Sequence, residues 1–190
     1  MAGLFESTGG GGAVIALDEW EASILRSLEV QVLELIGPGP GGEGGDPLAA
    51  LFAEGPTEAP ADPVLARFFP DAYGDPEKPD DGEAEAASGE FRRFTELDLR
   101  ARKRDDALFV IRALDGLGGG GVLKLGTEDC PRWLGALNDL RLALGVRLEV
   151  TEDDEDGLYD LPDGDERKPL VMAYLWLGAL QESLLEAMAG

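Results

Sequence analysis

No histidine occurs among the 190 residues, and Cys130 is the single cysteine. The first absence removes the usual acid/base group at neutral pH, the base of a nucleophilic triad and the common imidazole metal ligand. Catalysis would have to rest on carboxylates, Lys, Tyr or Cys. The second absence excludes an intrachain disulfide and a CxxC zinc site, which suits a reducing compartment and makes the cytoplasm the expected location. Positive charge is also scarce. Against 39 acidic residues stand 16 basic ones, a formal net charge of −23. Affinity for nucleic acid depends largely on neutralising phosphates with Lys and Arg, so DNA binding by the isolated chain is not expected, and partners with basic surfaces, above all proteins, are. Long apolar runs are missing too: the longest uncharged one, Leu170 to Leu180, falls well short of the roughly 20 residues that span a bilayer. The N-terminal "MAGLFESTGGGG" has neither a basic n-region nor a long apolar h-region, so a soluble protein is expected. No P-loop, GxSxG, HExxH or dinucleotide fingerprint is present, and "LGGGGVLKLG" lacks the strand-before, helix-after setting of a phosphate-binding loop. The expectation is a protein without cofactor or catalytic residues.

What the chain does have is enough apolar sequence, 44%, for one domain that buries roughly 70% of the surface its unfolded form exposes. Periodicity predicts a mainly α fold, a compact helical domain with a small two- or three-stranded β element. Gly9 to Gly12 read as the end of a flexible tail over 1–12, because glycines bury no side chain and lose much backbone entropy on ordering. A single domain over 13–190 follows. "AVIAL" is a short β-prone run, and Asp18 is placed to cap a helix on which Trp20, Ile24, Leu28, Val32 and Leu35 recur at helical spacing until Gly37 and Pro38 stop it. Mobile loops rich in Gly, Pro and acidic residues are expected near 37–47, 54–62 and 70–89, interrupted by short helices after Asp46-Pro47 and Asp62-Pro63.

From Glu90 a long helix, or two meeting near Asp105, carries Phe94, Leu97, Ala101, Leu108 and Ile111 as its apolar stripe. "GGGGVLKLG" and "TEDCPRWLGALNDLRLALG" then repeat the order glycines, strand, cap, helix, so "AVIAL" and "VLKL" should pair in one sheet. "VRLEV" reads as a further short strand. The closing helix from about Pro169 is apolar on nearly all faces over its first turns, the pattern of a buried central helix.

Four places could carry function. "TEDDEDGLYDLPDGDE" fits the EF-hand spacing with Glu152, Asp154, Asp156, Asp160 and Asp163 as ligands and Gly157 at the turn. The fit is flawed: Glu stands first, Asp stands in place of the bidentate Glu, Pro162 sits just before it, and the preceding segment does not look helical. A solvated acidic loop is the better reading, with no dedicated metal site. Cys130 lies near a helix start, where amide dipoles favour a thiolate, but Glu128 and Asp129 oppose this; it is the redox candidate. Arg93, Arg100 and Arg104 share a narrow arc of one helix in the only locally basic stretch. They either cover the core edge while pairing with carboxylates or dock a partner. Asn138 and Arg141 border the stripe Trp133, Leu137, Leu140 and Leu144, and they should bond to loop backbone or a helix carboxylate such as Glu182 in a structural polar network.

The segments "DPVLARFFPDAY", "EFRRFTELDLRARK", "WLGALNDLRLALGVRLEVTED" and "YLWLGALQESL" together resemble the actinobacterial AosR family, formerly a domain of unknown function, from about Ala13 to Met188. The motifs "EFRR" and "LNDLRLALG" carry it; the Gly/Pro loops match less well. The resemblance implies a cytoplasmic transcriptional regulator of the oxidative-stress response that acts through protein contacts with a sigma factor or another RNA polymerase component. The alternative is a cation-responsive or scaffold protein without redox sensing. A switch made by an intrachain disulfide needs two thiols, so redox sensing here would require sulfenylation of Cys130, a mixed disulfide or a second protomer, and a homodimer is one such arrangement.

Overall fold

The computed structural model describes residues 3–38, 53–74, 82–151, 161–162 and 164–190. Among them the chain forms five helices and one three-stranded antiparallel sheet, the mainly helical fold with a small β element expected from sequence. The residues gather into two compact units, Met1–Val32 with Asp106–Gly190, and Leu33–Asp105.

In the first unit, β1 (Glu6–Gly9) and β2 (Gly12–Leu17) form a hairpin and β3 (Gly121–Leu125) pairs with the other edge of β2. The ordering of residues before Ala13 corrects the expectation of a flexible tail. Gly10 and Gly11 take φ of 66° and 83°, the left-handed pair that a two-residue hairpin turn needs, so the freedom that argued for a loose tail here closes a turn. The start is also tied down. Phe5 is buried edge-on to Trp133 at 6.1 Å, and its N–H donates to Ser183 Oγ at 3.2 Å. Along β2 the buried residues alternate as Ala13, Ile15 and Leu17, and Ala13 and Ile15 lie opposite Leu125 and Leu123 of β3 in the expected strand pair.

Asp18 caps α1 (Glu19–Ile36) as predicted, within a reciprocal box: Glu21 N–H donates to Asp18 Oδ1 at 2.8 Å, and Asp18 N–H donates to Glu21 Oε2 at 2.9 Å. The buried stripe is rotated from the expected one. Ala22, Leu25, Glu29, Val32 and Ile36 face inward, whereas Trp20 is exposed. A stripe chosen for apolar character alone excludes Glu29, and that exclusion shifts the reading by about one residue. The helix α4 (Cys130–Arg147) buries Trp133, Leu137, Leu140 and Leu144 as expected. It ends where a strand was predicted. Val150 N–H donates to Gly145 O at 3.0 Å and Glu149 N–H to Val146 O at 3.1 Å, with Glu149 at φ 54°. That reciprocal pattern is a Schellman motif, so "VRLEV" is a helix end with β-branched residues in it. Helix α5 (Lys168–Ala189) packs on α4, β1 and β2 and buries Val171, Tyr174, Leu177, Leu180, Leu184 and Ala187. It is not wholly central, because Met172 and Leu185 are exposed.

In the second unit, Asp62 caps α2 (Pro63–Phe68), accepting from Val64 N–H at 2.9 Å and Leu65 N–H at 3.0 Å. The longest helix, α3 (Gly82–Gly116), contributes its residues up to Asp105 here and the remainder to the first unit. Its start corrects the loop expected near 70–89: "GEAEAAS" is rich in the helix formers Ala and Glu, and buried Ser88 fixes the turn before it, accepting from Tyr73 N–H at 3.0 Å and donating to Tyr73 O at 2.8 Å. The segment after residue 52 lies against α3, with Gly55 N–H donating to Arg93 O at 2.9 Å. The approach needs glycine on both sides, since a Cβ at Gly55 would lie 2.9 Å from Arg93 O and one at Gly89 2.8 Å from Thr57 O. The α3 stripe predicted from sequence holds at Ile111, which is buried with Ala107, Val110 and Leu114, and fails at Phe94 and Ala101, which face out. The inward positions near Phe94 are taken by Arg92 and Glu96 instead. The helix predicted after Asp46-Pro47 lies outside the described residues.

Candidate interaction surface

The basic arc on α3 is resolved into two different environments. Arg100 donates to Ile36 O at 3.2 Å, and Arg104 donates to Gly37 O. Both guanidiniums therefore sit at the C-terminal end of α1, whose last turn carries no basic residue of its own. There they satisfy carbonyls left without helical partners and oppose the negative end of the helix dipole. Arg100 is further held by Glu96 Oε1 at 2.8 Å and by the ring of Phe69, 4.3 Å from its centroid. Arg93 is different. It lies 4.6 Å from the centroid of the Phe94 ring, and its carboxylate neighbours Glu54 and Glu90 are distant, at 3.8 and 3.7 Å. Of the three, Arg93 is the one with a lightly engaged head group.

The side chains that organise this region are ones that spacing did not single out. Arg92 is buried and donates to Phe69 O at 2.9 Å, Glu96 Oε2 at 2.8 Å and Asp71 Oδ1 at 2.6 Å. The buried Arg92–Glu96 pair is one helical turn apart, so its only sequence signal is an Arg four residues before a Glu. A cavity of about 220 Å³ beside it is lined by Phe69, Asp71, Phe91, Arg92, Glu96 and neighbouring residues. Phe94, under the Arg93 guanidinium, is 65% exposed; Phe91, one turn before Phe94 on α3, is 47% exposed and Tyr73 53%, with Tyr73 and Phe91 edge-on at 6.1 Å. Exposed aromatic side chains beside an arginine are the composition that dominates the energetics of protein interfaces.

In the first unit, Asn138 and Arg141 do share a network, but its hub is Gln181 and not Glu182. Gln181 Nε2 donates to Asn138 Oδ1 at 3.3 Å, and Arg141 makes a long contact of 3.5 Å to Gln181 Oε1 while its guanidinium lies 5.1 Å from the centroid of Tyr174. Glu182 is exposed and lines, with Arg141, Tyr174 and Gln181, a groove between α4 and α5. Cys130 is fully buried, and burial pushes its thiol above the ordinary value, with Asp129 adding to the rise and backbone N–H groups opposing it. It is therefore a packed thiol, not a poised thiolate. The metal candidates Glu152, Asp154, Asp156 and Asp160, with Asp163, lie outside the described residues.

One further ionisable group escaped the sequence reading. Glu29, 1% exposed, has neither carboxylate oxygen hydrogen-bonded. Burial pushes its carboxyl up to about 8, and the nearby charges of Asp139 and Asp106 push the same way. Asp106 is itself held by Arg132, 2.9 Å away.

Comparison with known proteins finds matches that cover nearly the whole chain. A family model described as a domain of unknown function, DUF2017, matches residues 1–188. The chain belongs to this family. It is 31% identical over 185 residues to the oxidative stress regulator AosR of Mycobacterium tuberculosis, a match covering 90% of this chain and 79% of that protein. The AosR protein of Mycobacterium bovis gives the same figures. The resemblance read from "EFRR" and "LNDLRLALG" is thereby shown, and these relatives carry the name of regulators. No solved structure matches the chain. No helix among the described residues is long and apolar enough to cross a membrane.

Proposed function

We propose that this member of the DUF2017 family is a non-enzymatic transcriptional regulator of the oxidative-stress response that works by binding a protein of the transcription machinery, a sigma factor before other polymerase components. One observation carries the reading: the exposed Phe94 under the Arg93 guanidinium, with exposed Phe91 one turn before it on α3 and Tyr73 edge-on to Phe91, on a chain of net charge −23. Such a surface gives a rigid aromatic anchor against another polypeptide, while the surrounding negative field repels a duplex and favours a basic partner. The names of the relatives supply the oxidative-stress setting. Arg100 and Arg104 act in this account as caps of α1 and hold the surface in shape; Arg93 is the arginine offered to the partner. The buried Cys130 gives the chain no exposed thiol, so the reading does not require it to sense the oxidant itself.

Calorimetric titration of the purified chain with a purified sigma factor from the same cell tests the reading. Saturable binding is expected, weakened on the order of tenfold or more by Phe94→Ala, as for truncation of an interface anchor. Absence of binding under both reducing and oxidising conditions would sink the proposal.

A further inference from the structure

We propose that the cavity between α3 and the segment following α2 receives one large apolar side chain of a basic partner protein, with a lysine or arginine of the same partner segment placed over Asp71. The cavity is bounded on the α3 side by Ser88, Phe91, Arg92, Thr95, Glu96 and Leu99, and on the other side by the run from Phe69 to Ala72. Spaced three and four residues apart, the α3 positions form one stripe, so the cavity follows a single helix face. The polar side chains of that stripe are already engaged within the fold. Ser88 Oγ bonds both backbone groups of Tyr73, Thr95 Oγ1 donates to Phe91 O at 2.8 Å, and Arg92 donates to Glu96 at 2.8 Å. Arg92 Nε lacks an acceptor but is closed off from solvent, so a guest in the cavity does not reach it. A polar guest would leave water and find no partner, whereas an apolar one gains the walls of Phe69, Pro70, Phe91 and Leu99.

Size narrows the guest further. At about 220 Å³ the cavity is smaller than the roughly 300–1,000 Å³ of pockets that hold small-molecule ligands and larger than the roughly 150 Å³ that takes up a benzene ring. A single leucine, methionine or phenylalanine side chain suits that interval. Two features assign it to a basic protein. Phe91 walls the cavity and also stands edge-on to exposed Tyr73, one turn before exposed Phe94, so the cavity is continuous with the aromatic surface. Asp71 lends Oδ1 to Arg92 at 2.6 Å, yet its side chain is 57% exposed. Because Arg92 and Glu96 are buried, Asp71 is the charge that a partner meets at the cavity's rim, and the field of a chain of net charge −23 adds to its attraction for a cation. That a protein carries the guest rests on the function proposed above; the guest's apolar character and the cation beside it rest on the cavity.

Two titrations of the full chain separate the cavity from that function. In the first, a synthetic amphipathic peptide of leucine and lysine is followed by NMR. Shift changes centred on the amides of Ala72, Phe91, Thr95 and Leu99 are expected, with affinity lowered about tenfold or more by Thr95→Phe, which sets a ring in the cavity mouth. Ala72→Trp blocks the cavity from the opposite wall and gives the same loss, and circular dichroism checks that each variant folds. Asp71→Asn lowers affinity several-fold and flattens its salt dependence. Peptide binding centred elsewhere, or indifferent to both blocking variants, would overturn the proposal. In the second titration a purified sigma factor replaces the peptide. Binding that Phe94→Ala weakens and both blocking variants leave intact would overturn the cavity while the proposed function stood. A chain that takes up the peptide at the cavity and ignores the sigma factor would keep the cavity and lose that function.

Discussion

Glu29 shows how one residue can set the character of a helix. It occupies the centre of the inward stripe of α1, between Leu25 and Val32, and both of its oxygens are unpartnered. Leaving an ionised carboxylate there would cost several kcal/mol, so the protein keeps the proton instead. The folded state binds that proton up to about pH 8, whereas the unfolded chain releases it near the ordinary carboxyl value of 4.5. Between those limits the native state holds more protons than the unfolded state, and stability falls as pH rises, by up to about 1.4 kcal/mol per pH unit. Replacing Glu29 with Gln removes this term. Urea unfolding at several pH values should show the wild type losing stability relative to Glu29→Gln from pH 5 to pH 8 and running parallel to it above. Parallel curves throughout would show that Glu29 titrates alike in both states. Neither Glu29 nor the buried Arg92–Glu96 pair was legible as core, because sequence patterning assigns charged residues to the solvent side unless a partner or a proton is known to neutralise them.

At the scale of elements, the legible parts were those decided locally. Asp18 and Asp62 cap the helices that follow them, and the Trp133 to Leu144 stripe is buried, because each depends on residues within a turn or two. The parts that were misread depend on how a backbone closes or what packs on it. Gly10 and Gly11 form a hairpin turn only because β1 has β2 to pair with, and Phe94 faces out because the segment holding Gly55 lies on another side of α3. The C-terminus of α4 gives a direct check. Glu149 holds a left-handed φ of 54° in the Schellman motif, a conformation that disfavours a residue with a Cβ by roughly 1–2 kcal/mol. After the greater unfolded-state entropy of glycine is subtracted, Glu149→Gly should raise stability by a few tenths to about 1 kcal/mol. A raised melting temperature confirms it, and a lowered one would mean that the Glu149 side chain stabilises the native state more than the strain costs.

For the whole molecule, the balance of charge was legible from composition alone, and the candidate surface was not. A net charge of −23 and the absence of histidine constrain what the chain can do, but they do not locate where it does it. The arc of Arg93, Arg100 and Arg104 lies on α3, yet two of its three members hold the end of α1, and the exposed Phe94 under the third, with Phe91 one turn before it, carries the proposal. In the α4–α5 groove, too, the polar network was legible and its hub was not: Gln181 links Asn138 to Arg141, while Glu182 faces outward. The central claim is that this polyanion acts by touching another polypeptide. Quantitative affinity capture with the full chain from native cell extract, followed by identification of what is bound, tests it most directly. The account predicts recovery of a sigma factor or polymerase subunit, lost with Phe94→Ala and unchanged by Cys130→Ser. Recovery of DNA with no transcription protein, persisting with Phe94→Ala, would contradict it.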